Sequence, residues 1–211
     1  MKTVIIGASG GIGRAISIHL AKKASKDDIF VFQGKTIEKI LSLSKEIGED
    51  KDSVKSILIQ FEFDKNFFAS KNEAKNEPKE QLLYQIQTCD RLIICYGPFL
   101  QKPLHEMTID DWQNVTQQDF CIPSSLVSVA LPNMMKKNYG DILLFGGTAT
   151  DTICSFKTNA AYGAAKIALG SVVKSVANNY SDYNIKCNAI LPGFVKTEYV
   201  TSEQENHYIN L

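Results

Sequence analysis

The sequence predicts an α/β fold: a doubly wound parallel sheet with helices on both faces. Three observations carry this. Short apolar runs alternate with longer helical patterns along the whole chain. Each run stops at Gly, Pro or polar residues, as a buried strand does when it leaves a sheet. The first run passes through a glycine cluster straight into an amphipathic stretch, and alternation of this kind requires parallel strands joined by crossover helices.

Six strands follow from the runs "TVIIG", "DIFVFQ", "SILIQF", "RLIICYG", "DILLFG" and "IKCNAILPG". Between them the helical patterns cover about residues 11–24, 36–48, 78–88, 108–137 and 160–182. The most polar stretch, "KNFFASKNEAKNEPKE", residues 65–80, reads as a solvated connector. No internal repeat or dividing linker is visible, so residues 1–211 form a single domain in which 198–211 are a weakly structured tail.

Composition narrows the function. Lys plus Arg and Asp plus Glu both total 23, which gives no net field to attract nucleic acid or an anionic membrane. No apolar run approaches the roughly 20 residues of a membrane span, and the run near the N-terminus is too short for a secretion signal. Cys89, Cys95, Cys121, Cys154 and Cys187 are an odd set without a CxxC pair and read as free thiols of a reducing compartment. His19, His105 and His207 stand far apart, so no metal site is expected. A cytoplasmic protein acting on a small molecule fits these features.

The stretch "VIIGASGGIGRAI" carries the first chemistry. Gly7, Gly11 and Gly13 form GxxxGxG, while Gly7, Gly10 and Gly13 also form GxxGxxG; Ser9 and Ile12 lie in the same turn. Glycines at a strand-to-helix turn let a pyrophosphate approach the backbone and rest on the helix N-terminus. Dinucleotide binding is therefore expected, with a turn that serves packing alone as the other reading. At the end of the second strand, Gln33, Gly34 and Lys35 stand where an acid would hold a ribose 2′-hydroxyl. Lys35 is either the partner of a 2′-phosphate, favouring NADP over NAD, or a solvated lysine opening a helix.

The stretch "AAYGAAK" sets Tyr162 and Lys166 four residues apart, on one face if the segment is helical. A phenol near pKa 10 is a poor base at neutral pH, and a neighbouring cation favours its ionised form. The spacing fits a proton-transfer pair or an ordinary helix surface.

The glycine turn, the Tyr-x-x-x-Lys of "YGAAK" and "LPGFVKT" together resemble the short-chain dehydrogenase/reductase family, with order and spacing matching from Lys2 to Thr197. The resemblance implies a Rossmann sheet in the order 3-2-1-4-5-6 and an oxidoreductase that moves a hydride between NAD(P) and a carbonyl or alcohol. It implies Tyr162 as acid/base and Lys166 as the group that holds the nicotinamide ribose and lowers the tyrosine pKa. It places Asp64 of "FEFD" against the adenine and Gly97 at the end of the fourth strand. Pro192, Gly193, Val195 and Thr197 would line the nicotinamide, and the chain would associate as a homodimer or homotetramer.

Departures from the family pattern are equally specific. Gly147 of "GDILLFGGTAT" stands in register with the family's catalytic serine, leaving Thr148, the nearest hydroxyl, or Thr150 to replace it. Asp119 takes the place of the family asparagine; ionised, it accepts hydrogen bonds but cannot donate them. "ICYG" has no asparagine where the family has Asn-Asn-Ala-Gly, and the residues after "PGFVKT" are too few for a seventh strand, so an open substrate pocket or one completed by a partner subunit is expected. Two readings follow. One is an NADP-preferring reductase or dehydrogenase using Tyr162, Lys166, Thr148 and Asp119; the other is an NAD(P)-binding sensor or assembly subunit with lost or weak catalysis.

Overall fold

The structure is a computed structural model that describes residues 1–49, 54–64, 67–68 and 77–200. Most of the polar stretch 65–80, and residues 201–211 of the expected tail, lie outside the described residues. The strands are β1 (Lys2–Ile6), β2 (Ile29–Gly34), β3 (Lys55–Gln60), β4 (Arg91–Ile94), β5 (Gly140–Phe145) and β6 (Ile185–Ile190). They form one six-stranded sheet in the order β3-β2-β1-β4-β5-β6, and every pairing is parallel.

The strand register sorts the side chains onto two faces. Ile57, Val31, Val4, Leu92, Ile142 and Cys187 lie opposite one another across all six strands and point into one apolar cluster. The next residue on each strand points the other way, so Leu58, Phe32, Ile5, Ile93 and Leu143 form the opposite core, and in β6 the row ends at the exposed Asn188. A sheet buried on both faces needs strands apolar at successive positions, which is why "TVII" and "FVF" show no alternation. Each fully buried Ile or Phe here contributes about 1.5–3 kcal/mol.

Helices α1 (Gly11–Lys22) and α2 (Ile37–Glu49) cover the face of Ile5 and Phe32. On the other face lie α3 (Glu77–Gln87), α5 (Ile122–Lys137) and α6 (Ala160–Asn179), and α4 (Ile109–Thr116) precedes α5 and packs on α6. Thr108 starts α4 with a reciprocal cap: its hydroxyl accepts from the Asp111 N–H at 3.1 Å, and the Asp111 carboxylate accepts from the Thr108 N–H at 2.9 Å.

Two features differ from the sequence expectation. The helix expected over 108–137 is interrupted by a π-helical turn, Gln117–Cys121, that buries Gln118 and Asp119. A π turn replaces no residue type with another and moves the apolar stripe only at a single point, so the run of helix-forming residues over 108–137 read as one helix. The helix expected over 160–182 ends at Asn179, and Ser181–Tyr183 tighten into a 3₁₀ turn before β6.

Candidate active site

All the sequence motifs meet at the carboxyl ends of the strands. Gly7 follows β1, Lys35 follows β2, Asp64 lies beyond β3, Gly97 beyond β4, Gly147 beyond β5 and Pro192 beyond β6. The strand order reverses between β1 and β4, and a crevice at such a switch point is where open α/β sheets bind ligands.

The glycine turn is built for close approach. A side chain on Gly13 would collide with the Gly7 carbonyl, so the start of α1 can sit directly over the end of β1 only with glycine there. Gln33, buried at the end of β2, ties the turn down: its carbonyl oxygen accepts from the Gly7 N–H at 3.0 Å, and its amide donates to the Phe61 carbonyl. Ile12 packs on the apolar cluster below, and Ser9 lies against Gly34. The helix has no side-chain cap at Gly10, so its first N–H groups are left for an anion, and the Gly11 N–H donates to the Glu198 carboxylate at 3.0 and 3.2 Å. The uncapped start of α1 thus holds an anionic group, as helix N-termini do.

Lys35 is exposed and forms an ion pair with Glu62 at the same strand ends. The Asp64 side chain is exposed, while its carbonyl accepts from the Gln117 amide at 2.9 Å. Gln118 donates to the Phe63 carbonyl at 3.4 Å and accepts from the Tyr96 hydroxyl. The π turn therefore anchors the loop that follows β3. Neither glutamine was singled out by sequence, because each role depends on a turn that brings distant segments together.

Tyr162 and Lys166 lie one turn apart in α6, as the spacing predicts. The alanines around them have a packing role: Ala161 and Ala165 are buried against Val115 of α4, and their small size lets the two helices approach closely. Gly163 faces the Phe156 ring, which a side chain there would strike. The Tyr162 ring stacks edge-on against Phe99 with centroids 5.0 Å apart, and Lys166 Nζ lies 5.5 Å from the Tyr162 centroid.

Lys166 and Asp119 form a buried ion pair, Nζ to Oδ1 3.2 Å. Apart from Lys166, the Asp119 oxygens have no hydrogen-bond partner among the described residues. Gly97, at φ +154°, makes room for the pair: a Cβ there would lie 2.5 Å from both Asp119 Oδ1 and Lys166 Nζ. Burial pushes the Asp119 carboxyl up to about 6, against the opposing pull of Lys166. Burial, reinforced by the Asp119 charge, pushes the Tyr162 phenol up to about 12. The shift is opposite in direction to the lowering expected from Lys166, with burial as its larger cause.

The loop after β5 places Gly147 against the phenol: a Cβ there would lie 3.4 Å from Tyr162 Oη. Thr148 is exposed and donates its hydroxyl proton to the Pro192 carbonyl at 3.1 Å. Thr150 is buried; its hydroxyl donates to the Gly147 carbonyl at 2.8 Å and accepts from the Gly147 N–H at 3.0 Å. Gly193 and Val195 are exposed, and the Thr197 hydroxyl accepts from the Tyr199 N–H at 3.4 Å.

A cavity of about 860 Å³ runs along α1 over β4, β5 and β6, between Ile16, Leu20, Leu143 and Ile190, and reaches Gly11, Pro192 and Thr197. It does not include Tyr162 or Lys166. Among the described residues no group of three or more His, Cys, Asp and Glu is arranged to hold a metal ion, and no helix is long and apolar enough to cross a membrane.

Comparison with known proteins agrees with this architecture. The chain is 29% identical over 210 residues to a 3-oxoacyl-(acyl-carrier-protein) reductase of Haemophilus influenzae, spanning 96% of this chain and 78% of that protein. It is 26% identical over 199 residues to a vibriobactin-specific 2,3-dihydro-2,3-dihydroxybenzoate dehydrogenase of Vibrio cholerae, spanning 93% and 70%. Among solved structures, a 3-oxoacyl-(acyl-carrier protein) reductase from Brucella melitensis with bound NAD superposes with TM-score 0.79 at 19% identity, covering 100% of this chain and 76% of that one. The short chain dehydrogenase family model matches residues 2–207. A six-stranded parallel sheet in this order, a glycine turn at its switch point and that match over nearly the whole chain make the protein a member of the short-chain dehydrogenase family of oxidoreductases.

Proposed function

We propose that the protein is an NAD(P)-dependent reductase of small carbonyl compounds, with Tyr162 as the proton donor. The observation that carries this is the Tyr162 phenol, held by Phe99 and backed by the Lys166–Asp119 pair beside the switch-point crevice. A phenol pushed up to about 12 is protonated at neutral pH, which suits donation to a carbonyl oxygen more than abstraction from an alcohol. The nicotinamide, when bound, supplies the hydride. Gly7, Ser9, Gly11, Ile12 and Gly13 hold its pyrophosphate side, Asp64 and Gly97 border the adenosine half, and Pro192, Gly193, Val195 and Thr197 border the nicotinamide. Thr148 supplies a second hydroxyl to the substrate oxygen once it releases the Pro192 carbonyl.

The reading includes a preference for NADP over NAD. An exposed ion pair such as Lys35–Glu62 is worth only about 0–1 kcal/mol, so the ammonium is free to exchange toward a 2′-phosphate. The preference is small, because Glu62 brings a negative charge to the same place. Self-association as a homodimer or homotetramer belongs to the same reading, and light scattering of the purified protein measures it.

Gly147 supports a second reading. A glycine facing the phenol, at the position where the family has a serine, suits a cofactor-binding sensor or assembly subunit with weak chemistry. One experiment separates the two: titrate NADPH and NADH by nicotinamide fluorescence, then follow cofactor consumption with a panel of ketones, aldehydes and 3-oxoacyl thioesters. The reductase reading expects binding, turnover, and loss of turnover but not of binding in Tyr162→Phe. Binding without turnover of any carbonyl selects the sensor, and equal turnover in Tyr162→Phe removes that residue from the chemistry.

A further inference from the structure

The segment that follows β6 folds back onto the glycine turn. The Glu198 carboxylate accepts from the Gly11 N–H with both oxygens, at 3.0 and 3.2 Å, at the first residue of α1. Tyr199 lies on the turn itself: its hydroxyl occupies the space in front of Gly10, and its ring edge is 3.4 Å from where a Gly11 Cβ would stand. Lys39 of α2 fixes that ring from the other side, with Nζ 5.0 Å from the centroid and 3.5 Å from the hydroxyl. A turn closed by the Val200 N–H on the Thr197 carbonyl, 3.1 Å, presents Glu198 and Tyr199 together.

These contacts share one chemistry. An uncapped helix N-terminus behind glycines attracts an anion, and the anion present is a carboxylate from 187 positions along the chain. Burial opposes ionisation of Glu198, but hydrogen bonds from its own and the Gly11 backbone, with the nearby Lys39, hold its carboxyl below the ordinary value. The aromatic ring covers the surface that a phosphate group would have to approach.

We infer that Glu198 and Tyr199 form an internal stopper in the pyrophosphate seat, which a dinucleotide must displace in order to bind. The inference rests on the reading of the glycine turn as the dinucleotide site. It makes the segment after Thr197 a competitor for the cofactor: the chain satisfies its own helix N-terminus when the cofactor is away and releases it when the cofactor arrives. Because the stopper acts on the pyrophosphate, common to both cofactors, it weakens NADPH and NADH alike.

The test is nicotinamide-fluorescence titration of the full chain and of Glu198→Ala, Glu198→Gln and Tyr199→Ala, with thermal unfolding to verify that each variant is folded. Exposed helix-terminal charge interactions translate to roughly two- to fivefold in affinity, so Glu198→Ala is expected to bind both cofactors tighter by about that factor. Tyr199→Ala, which changes no charge, is expected to tighten binding in the same direction, and Glu198→Gln to fall between Ala and the native chain. Equal affinities across folded variants that bind would overturn the stopper while leaving the site intact. Tightening in the Glu198 variants with Tyr199→Ala unchanged would also overturn it, since charge alone would then account for the effect. Absence of cofactor binding in every variant would instead remove the site reading, and the stopper with it.

Discussion

Lys166 Nζ and Asp119 Oδ1 lie 3.2 Å apart, and neither side chain is open to solvent. The Asp119 charge adds to burial in raising the Tyr162 phenol.

Asp119→Asn should separate these effects. Losing the carboxylate leaves a buried ammonium uncompensated, a change that typically costs about 3–5 kcal/mol, and denaturant unfolding reads it directly. In the same variant the Tyr162 pKa falls, since the Asp119 charge no longer raises it. Alcohol oxidation, which needs the ionised phenol, should then begin at lower pH than in the native protein. An unchanged pH profile would show that Asp119 does not act on Tyr162. Adding Lys166→Met to Asp119→Asn should recover part of the stability.

Gly147→Ser places a hydroxyl toward Tyr162, at the cost of a few tenths of an ångström of adjustment by the ring. Loss of one preorganised donor commonly reduces rate on the order of a hundred- to a thousandfold. Restoring one in an imperfect geometry should raise kcat by roughly tenfold or more, measured at saturating cofactor. No gain would mean that a donor is already present.

Two threonines can be told apart. Thr150→Val leaves the buried Gly147 N–H without a partner and should destabilise the fold by about 1–3 kcal/mol, visible in thermal unfolding. Thr148 is exposed, so Thr148→Val should leave stability unchanged while lowering turnover. Full turnover in Thr148→Val would exclude its hydroxyl as the donor.

Acid stability should depend on Asp28. Hydrogen bonds from the Ser25 N–H, the terminal ammonium and the Ser25 hydroxyl hold its carboxyl down at about 2. A group depressed in the folded state stabilises above its ordinary value, near 3.9, and loses that contribution as pH falls through the folded one. Melting curves of the native protein should therefore lose stability between about pH 4 and pH 2, a component that Asp28→Asn lacks from the start.

Much of the fold was legible because it rests on local patterns. Continuous apolar runs marked all six strands, and the strand–glycine–helix succession located the switch point. Tyr162 and Lys166 were legible because a helix has a fixed repeat. The family resemblance also set Asp119 beside them, at the asparagine position; that it pairs directly with Lys166 depends on a widened turn in one helix and a bare glycine on a loop. The return of Glu198 to Gly11 links positions 187 apart, a contact for which no local pattern exists. The hydroxyls of Thr148 and Thr150 were interchangeable on paper and differ only in which carbonyl each one finds.

The widened turn at Gln117–Cys121 has a consequence for how this helix could have arisen. One extra residue shifts the phase of everything downstream by about 100°. Before the shift, Val115 faces α6; after it, Ile122, Leu126 and Ala130 face the sheet. The two halves thus pack against different neighbours, and Phe120 within the join touches both apolar clusters. A charged side chain at that join can enter the interior without displacing an apolar residue from either stripe. Removing one residue from the join would rotate the halves into a common phase, and the fold would have to choose between its sheet contacts and its acid.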